Sequence, residues 1–195
     1  ADAVEAVLPC AKDTIDMEPT FDHVWASVPL PRRRLTQKDV DDAEAEASTL
    51  RVKYEELKAD LEAHPEKRNE PRWYVGITAA YRRMQWNAKV RERFEQEATS
   101  PEIEIEAHVL RLGDMAIATN PFEYYLDYGL QIKARSRALQ TFLVQLTGSG
   151  TYLPTQRAIS GGSYGAVAAS TPVGPEGGRK LVDWTVETIN GLWED

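Results

Sequence analysis

Between residues 40 and 61 the apolar positions are Val40, Ala43, Ala47, Leu50, Tyr54, Leu57 and Leu61, spaced alternately by three and four. Such residues share one face only in an α-helix, and a stripe of this kind needs a partner to bury it. Thr36 is a good N-cap for this helix, with Asp39 in its first turn. The other faces carry "DDAEAE" and "KYEELKAD" and read as solvated. "HPEKRNEP" (64–71) ends the helix in a polar loop, and a second helix is expected from about Trp73 to Gln96. Its stripe would be Trp73, Ile77, Tyr81 and Met84, giving an antiparallel helical hairpin over 36–101.

The flanking segments have a different period. Residues 1–20 lack clear periodicity, and "HVWASVPLP" gives a strand with Val24, Ala26, Val28 and Leu30 on one face, broken by Pro29 and Pro31. Residues 1–35 therefore read as an irregular and strand-forming lead-in. After residue 101, "IEIEAHVLRL" alternates, "GD" marks a hairpin turn, and "MAIAT" is a buried-type strand. The pattern after Pro121 is helical, "QTFLVQL" (140–146) is a second buried strand, and a long glycine-rich loop follows. The terminal segment "GPEGGRKLVDWTVETINGLW" is an amphipathic helix with Leu181, Trp184, Ile189 and Leu192 as core candidates. The fold class is α+β or α/β: a helical hairpin at the front, and a mixed sheet with flanking helices over 102–195.

Charge and cysteine usage narrow the function. The net charge of −8 argues against sequence-independent nucleic-acid binding, which needs a basic surface. A single cysteine, Cys10, allows no intrachain disulfide. No apolar run approaches a transmembrane helix in length, and no basic start followed by an apolar stretch marks a signal peptide. The start "ADAVEAVLPC", without methionine, reads as a processed product or a piece whose beginning lies elsewhere. The compartment stays open.

Histidines His23, His64 and His108 form no HxH, HExxH or related ligand pattern. Their simplest roles are a strand start, a helix end and the polar face of a strand. No nucleophile elbow, P-loop or dinucleotide fingerprint is present. The strand ending at "IATNP" delivers Glu123 at a helix start, and "FLVQL" leads into "GTYLPT". If these strands are parallel neighbours, Glu123 and Tyr152 emerge at one sheet edge, where open α/β sheets bind ligands. A carboxylate and a phenol there suit a hard-to-borderline cation such as zinc, although both residues also fit ordinary helix-start and packing roles.

The segments "EAHVLRLGDMAIATNPFEYYLDYGLQIKARS", "TFLVQLTGSGTYLPTQRAISGGSYGA" and "VGPEGGRKLVDWTVETI" resemble the rear part of the neutral/alkaline, non-lysosomal ceramidase family. The likeness covers about residues 102–192. It implies a part of a larger catalytic domain that hydrolyses the amide of N-acyl sphingolipids with a zinc-activated water. That family holds zinc with two histidines, a glutamate and a tyrosine. The resemblance puts Glu123 and Tyr152 at the last two positions, and Tyr164 at a second tyrosine that polarises the substrate carbonyl. "NPFE" stands where Pro-Gly-Glu is usual, which points to the bacterial ceramidase-like branch. The two histidine ligands belong to upstream segments with no counterpart in residues 1–101. They are expected from the missing N-terminal part of the enzyme or from a second chain, and the isolated chain is expected to be inactive. The competing expectation is a non-catalytic interaction module working through the acidic seam helix 37–63. That reading requires an exposed stripe along Val40, Leu50, Leu57 and Leu61.

Overall fold

A computed structural model describes residues 2–13 and 15–194. Ala1, Thr14 and Asp195, which the sequence-based divisions include, lie outside the described residues. The chain runs α1 (Asp2–Asp13), β1 (Phe21–Pro31), α2 (Gln37–Ala63), α3 (Tyr74–Ala88), α4 (Val90–Glu97), β2 (Glu102–Leu112) and β3 (Met115–Thr119). It continues through β4 (Glu123–Tyr124), α5 (Leu126–Arg135), β5 (Gln140–Val144), β6 (Tyr152–Leu153), α6 (Gln156–Ser160) and α7 (Pro175–Gly191). A 3-10 turn, Pro65–Asn69, joins α2 to α3. The fold is α+β with a mixed sheet.

Four strands pair in the order β1-β2-β3-β5. The first three are antiparallel, and β5 joins β3 in parallel, from Met115↔Gln140 to Thr119↔Val144. Gly113, at φ +57°, opens the two-residue turn between β2 and β3. The expected alternation holds on one face: Val28, Leu30, Ile105, Ala107, Val109, Ala116 and Ala118 are buried, and α7 covers them with Leu181, Val182, Val186 and Ile189. α5 packs beside α7. The other face exposes Phe21, Trp25, Leu112, Met115, Phe142 and Val144. No helix among the described residues is long and apolar enough to cross a membrane.

The front half forms the expected hairpin. Thr36 makes a full capping box with Asp39, the hydroxyl accepting from Asp39 N while the carboxylate accepts from Thr36 N at 2.8 Å. Val40, Ala43, Ala47, Leu50 and Leu61 are buried, and α3 packs along α2. The stripe that an interaction module would expose is thus used inside the hairpin, with Leu57 half-buried.

Three expectations need correction. The lead-in is not irregular throughout, because residues 2–13 form α1. None of its residues is buried, so no periodic core signal marks it; Asp2 and Glu5 in the first turn and Lys12 in the last favour it through the helix dipole. The second hairpin helix breaks at Lys89, and the bend lets Val90 and Phe94 of α4 reach Val40 and Ala43. Its buried stripe is Ala80 and Met84, while Trp73 and Tyr81 stay exposed. Finally, Pro29 does not break β1, which runs through it as an edge strand and ends at Pro31.

A close contact in the rear core joins α7 to α5. A Cβ on Gly178 would lie 2.3 Å from both Cζ and the hydroxyl oxygen of Tyr128. Tyr128 is buried, and its hydroxyl donates to Pro154 O at 2.9 Å, so the ring has little room to retreat. Gly→Ala in a helix ordinarily gains about 1 kcal/mol. Here overpacking outweighs that gain, and Gly178→Ala is expected to lower unfolding free energy by about 1–3 kcal/mol. Urea unfolding monitored by circular dichroism checks this; an unchanged or higher midpoint would show that the contact is slack.

Candidate metal half-site at Glu123, Tyr152 and Tyr164

Because β3 and β5 are parallel, both release the chain at the same end of the sheet. Beyond β3 the Asn120 side chain, itself buried, turns the backbone: Oδ1 accepts from Phe122 N at 2.9 Å. Asn120 N donates to Val144 O at 3.0 Å, and Thr147 N to Asn120 O at 3.2 Å. The chain beyond β5 bends back through Leu146, at φ +58°. Gly150 then presses on the Pro121–Phe122 peptide so closely that a Cβ would lie 1.9 Å from Pro121 O. No side chain fits there, which is the physical reason for glycine before Thr151 and Tyr152.

That contact lays residues 151–153 beside 123–125. Glu123 N donates to Thr151 O at 3.0 Å, and β4 pairs in parallel with β6 as Glu123↔Tyr152 and Tyr124↔Leu153. Paired positions share a face, so the carboxylate and the phenol project side by side. Glu123 therefore sits on a short strand and not at a helix start; α5 begins at Leu126. The Asn120 turn consumes the residues that the helical pattern after Pro121 had claimed.

Tyr164 completes the cluster. Its ring stands edge-on to Tyr152 with centroids 5.7 Å apart. Gly165, at φ +77°, lies flat on the same Tyr152 ring, and a Cβ there would approach ring atoms to 2.5 Å. The Tyr125 hydroxyl donates to the Tyr164 carbonyl, holding the turn. Tyr164 is 84% exposed, so its hydroxyl is open to a ligand from solvent. The Tyr152 pKa is raised above its ordinary value, by burial first and then by the Glu123 charge and the Tyr164 phenol; hydrogen bonds to both add to it. All three residues singled out in the sequence are thus brought together.

The histidines are placed elsewhere. His23 and His108 project from the open sheet face and stack at 5.2 Å, with His23 Nε2 and His108 Nδ1 3.0 Å apart. His108 Nε2 also meets Glu106 Oε1 at 3.1 Å. The sequence reading missed this pair, because diagonal neighbours on β1 and β2 become visible only once the register is known. His64 ends α2 as expected. Among the described residues no group of three or more His, Cys, Asp or Glu side chains is arranged to hold a metal ion.

A cavity of about 440 Å³ opens at the same strand ends, lined by Glu104, Glu106, His108, Thr119 and Phe122 and by the loop from Thr147 to Thr151. Alternation along β4 and β6 puts Phe122 and Thr151 on its wall and Glu123 and Tyr152 on the far side of the ribbon. The cavity and the acid–phenol cluster are separate features. No protein-family model, curated protein or solved structure matches this chain.

The electrostatics give a direct check. A phenol whose folded pKa is raised stabilises the fold fully below the unfolded value near 10, and that contribution is lost as pH rises through the folded pKa. Glu123→Gln removes the negative charge, so Tyr152 is expected to ionise at lower pH in the variant. Carbon NMR of Cζ-labelled tyrosine, with Tyr152→Phe for assignment, reads this out; superimposable titrations would refute the coupling.

Proposed function

We propose that this chain contributes the carboxylate and phenol ligands of a zinc-dependent amide hydrolase similar to neutral ceramidases. The observation that carries the reading is the parallel register that sets Glu123 beside Tyr152, with Tyr164 edge-on to the second ring. The donor set suits zinc, which accepts carboxylate oxygen and is completed elsewhere by imidazole. When bound, zinc supplies a Lewis acid and a water acidic enough to act as hydroxide near neutral pH.

The chain's own residues have distinct tasks under this reading. Glu123, exposed and unencumbered by an ion pair among those described, offers an oxygen ligand. Tyr152 keeps its proton in the protein alone, and a cation beside it favours the phenolate by the reverse of the same electrostatics. Tyr164 presents a hydroxyl donor to the oxygen of the substrate amide, where negative charge develops during attack. The products are a fatty acid and a sphingoid base. The histidine ligands come from a further segment of the enzyme or a second chain, consistent with the position of His23 and His108 in a separate pair.

Zinc titration of the purified chain against a chromophoric indicator tests the reading. Two oxygen ligands should give weak binding, lost in Glu123→Gln and reduced at least severalfold in Tyr152→Phe, with no hydrolysis of a fluorescent N-acyl sphingosine. Zinc affinity indifferent to both substitutions would reject this ligand assignment.

A further inference from the structure

β2 is longer than the strand beside it. β3 pairs with β2 only from Leu112 back to Val109, and at the next step a side chain, Thr119 Oγ1, accepts from His108 N at 3.1 Å. Asn120 then turns the chain aside. From Glu102 to Ala107, β2 therefore has β1 on one side and no strand on the other. Backbone groups alternate in direction along a strand, and His108 N points toward β3. The N–H and C=O groups of Glu104 and Glu106 point the same way. Among the described residues no backbone partner reaches them from that side.

This stretch of β2 borders the cavity of about 440 Å³, a volume in the range of ligand clefts. The gap is a slot and not an outer rim, because Phe122 and the loop from Thr147 to Thr151 also line it. Neither lysine nor arginine is among its lining residues. Ser27 Oγ donates to Glu104 Oε2 at 2.5 Å, and His108 Nε2 meets Glu106 Oε1 at 3.1 Å. Neither carboxylate is therefore paired with a permanent cation. Glu102, further along the same strand, has one in Lys180 at 3.0 Å.

We propose that this slot takes an extended peptide with basic side chains at alternate positions, which adds as a short strand beside β2. In strand addition the main-chain bonds supply affinity and alternate side chains supply selectivity. Here the open backbone groups of Glu104 and Glu106 supply the bonds. Residues directly opposite on paired strands share a face, so those across from Glu104 and Glu106 meet the two carboxylates. Lysine or arginine fits both places. The residue between them points to the face of Ile105 and Val173, which belong to the core, and is apolar. An acidic strand is refused by like charges directly opposite, and a wholly apolar one by charges along the edge. The inference does not rest on the zinc reading, since Glu123 and Tyr152 lie on the far side of the β4–β6 ribbon.

NMR titration of the isotope-labelled protein with a capped lysine–valine–lysine–valine–lysine peptide tests the proposal. The Glu104 and Glu106 amide signals should shift together, and their hydrogen exchange should slow by about tenfold or more at saturation. Affinity should fall severalfold for the protein carrying both Glu104→Gln and Glu106→Gln, and for a peptide with glutamate in place of lysine. It should fall as far for the lysine peptide N-methylated at each residue, which keeps its charges but cannot donate. Should the double variant fail to fold, the methylated peptide decides the matter with the unaltered protein. No binding, equal binding of the methylated peptide, or binding that leaves the two amides unprotected would overturn strand addition.

Discussion

The parallel pairing of β3 with β5 is the constraint on which the rear half depends. Two strands that point the same way cannot be joined by a tight turn, so the chain must cross over a face, and α5 makes that crossing. Both strands then end at one edge, and the two segments leaving them must share a small space. Asn120 turns one segment, and Gly150 admits the other at a distance no side chain would allow. The β4–β6 ribbon follows from that crowding, and the neighbouring positions of Glu123 and Tyr152 follow from the ribbon's register. Remove the parallel pairing, and nothing local would bring the two side chains together.

Much of this was legible because it is written in periodicity or in turn chemistry. The Thr36 cap, the three-and-four seam of α2, the "GD" hairpin and the apolar face of α7 each depend on residues close in sequence. The shared edge of Glu123 and Tyr152 was legible only as a condition, since sequence carries no direct mark of strand direction. What escaped depends on long-range geometry. The strand at Glu123 replaces a helical pattern because a side-chain hydrogen bond from Phe122 N to Asn120 redirects the backbone. The His23–His108 stack needs the β1–β2 register, and the break at Lys89 needs the distance from α4 to Val40. α1 was missed for a different reason: with no buried face, it offers no apolar period to read.

The two halves of the molecule are held by unlike means. The rear is a sheet with one face closed by α7, where large side chains interlock around glycines. The hairpin has its own narrow seam and meets the rear through Leu35, Phe94 and Ala169 and through arginines gripping carbonyls of the 166–168 segment. The Tyr164–Gly165 turn lies between these regimes. It is flanked by ring packing on Tyr152 on one side and, on the other, by hydrogen bonds from Arg33, beyond β1, and Arg93, in the hairpin. Candidate chemistry on the rear sheet is therefore mechanically connected to the helical front, although the hairpin supplies no residue to the cluster.

The two prolines of β1 have a consequence for assembly. His108 N donates toward β3, to Thr119 Oγ1, so even positions of β2 direct their backbone groups to β3 and odd positions to β1. The antiparallel register then turns the even positions of β1 inward and leaves Pro29 and Pro31 with their ring nitrogens on the outer rim. Neither proline deprives the ladder of a bond, and together they strip two donors from one of the two margins where another chain's strand could zip on. Strand pairing along that part of the rim is thereby weakened, while Phe21, His23, Trp25 and Ser27 keep their outward donors.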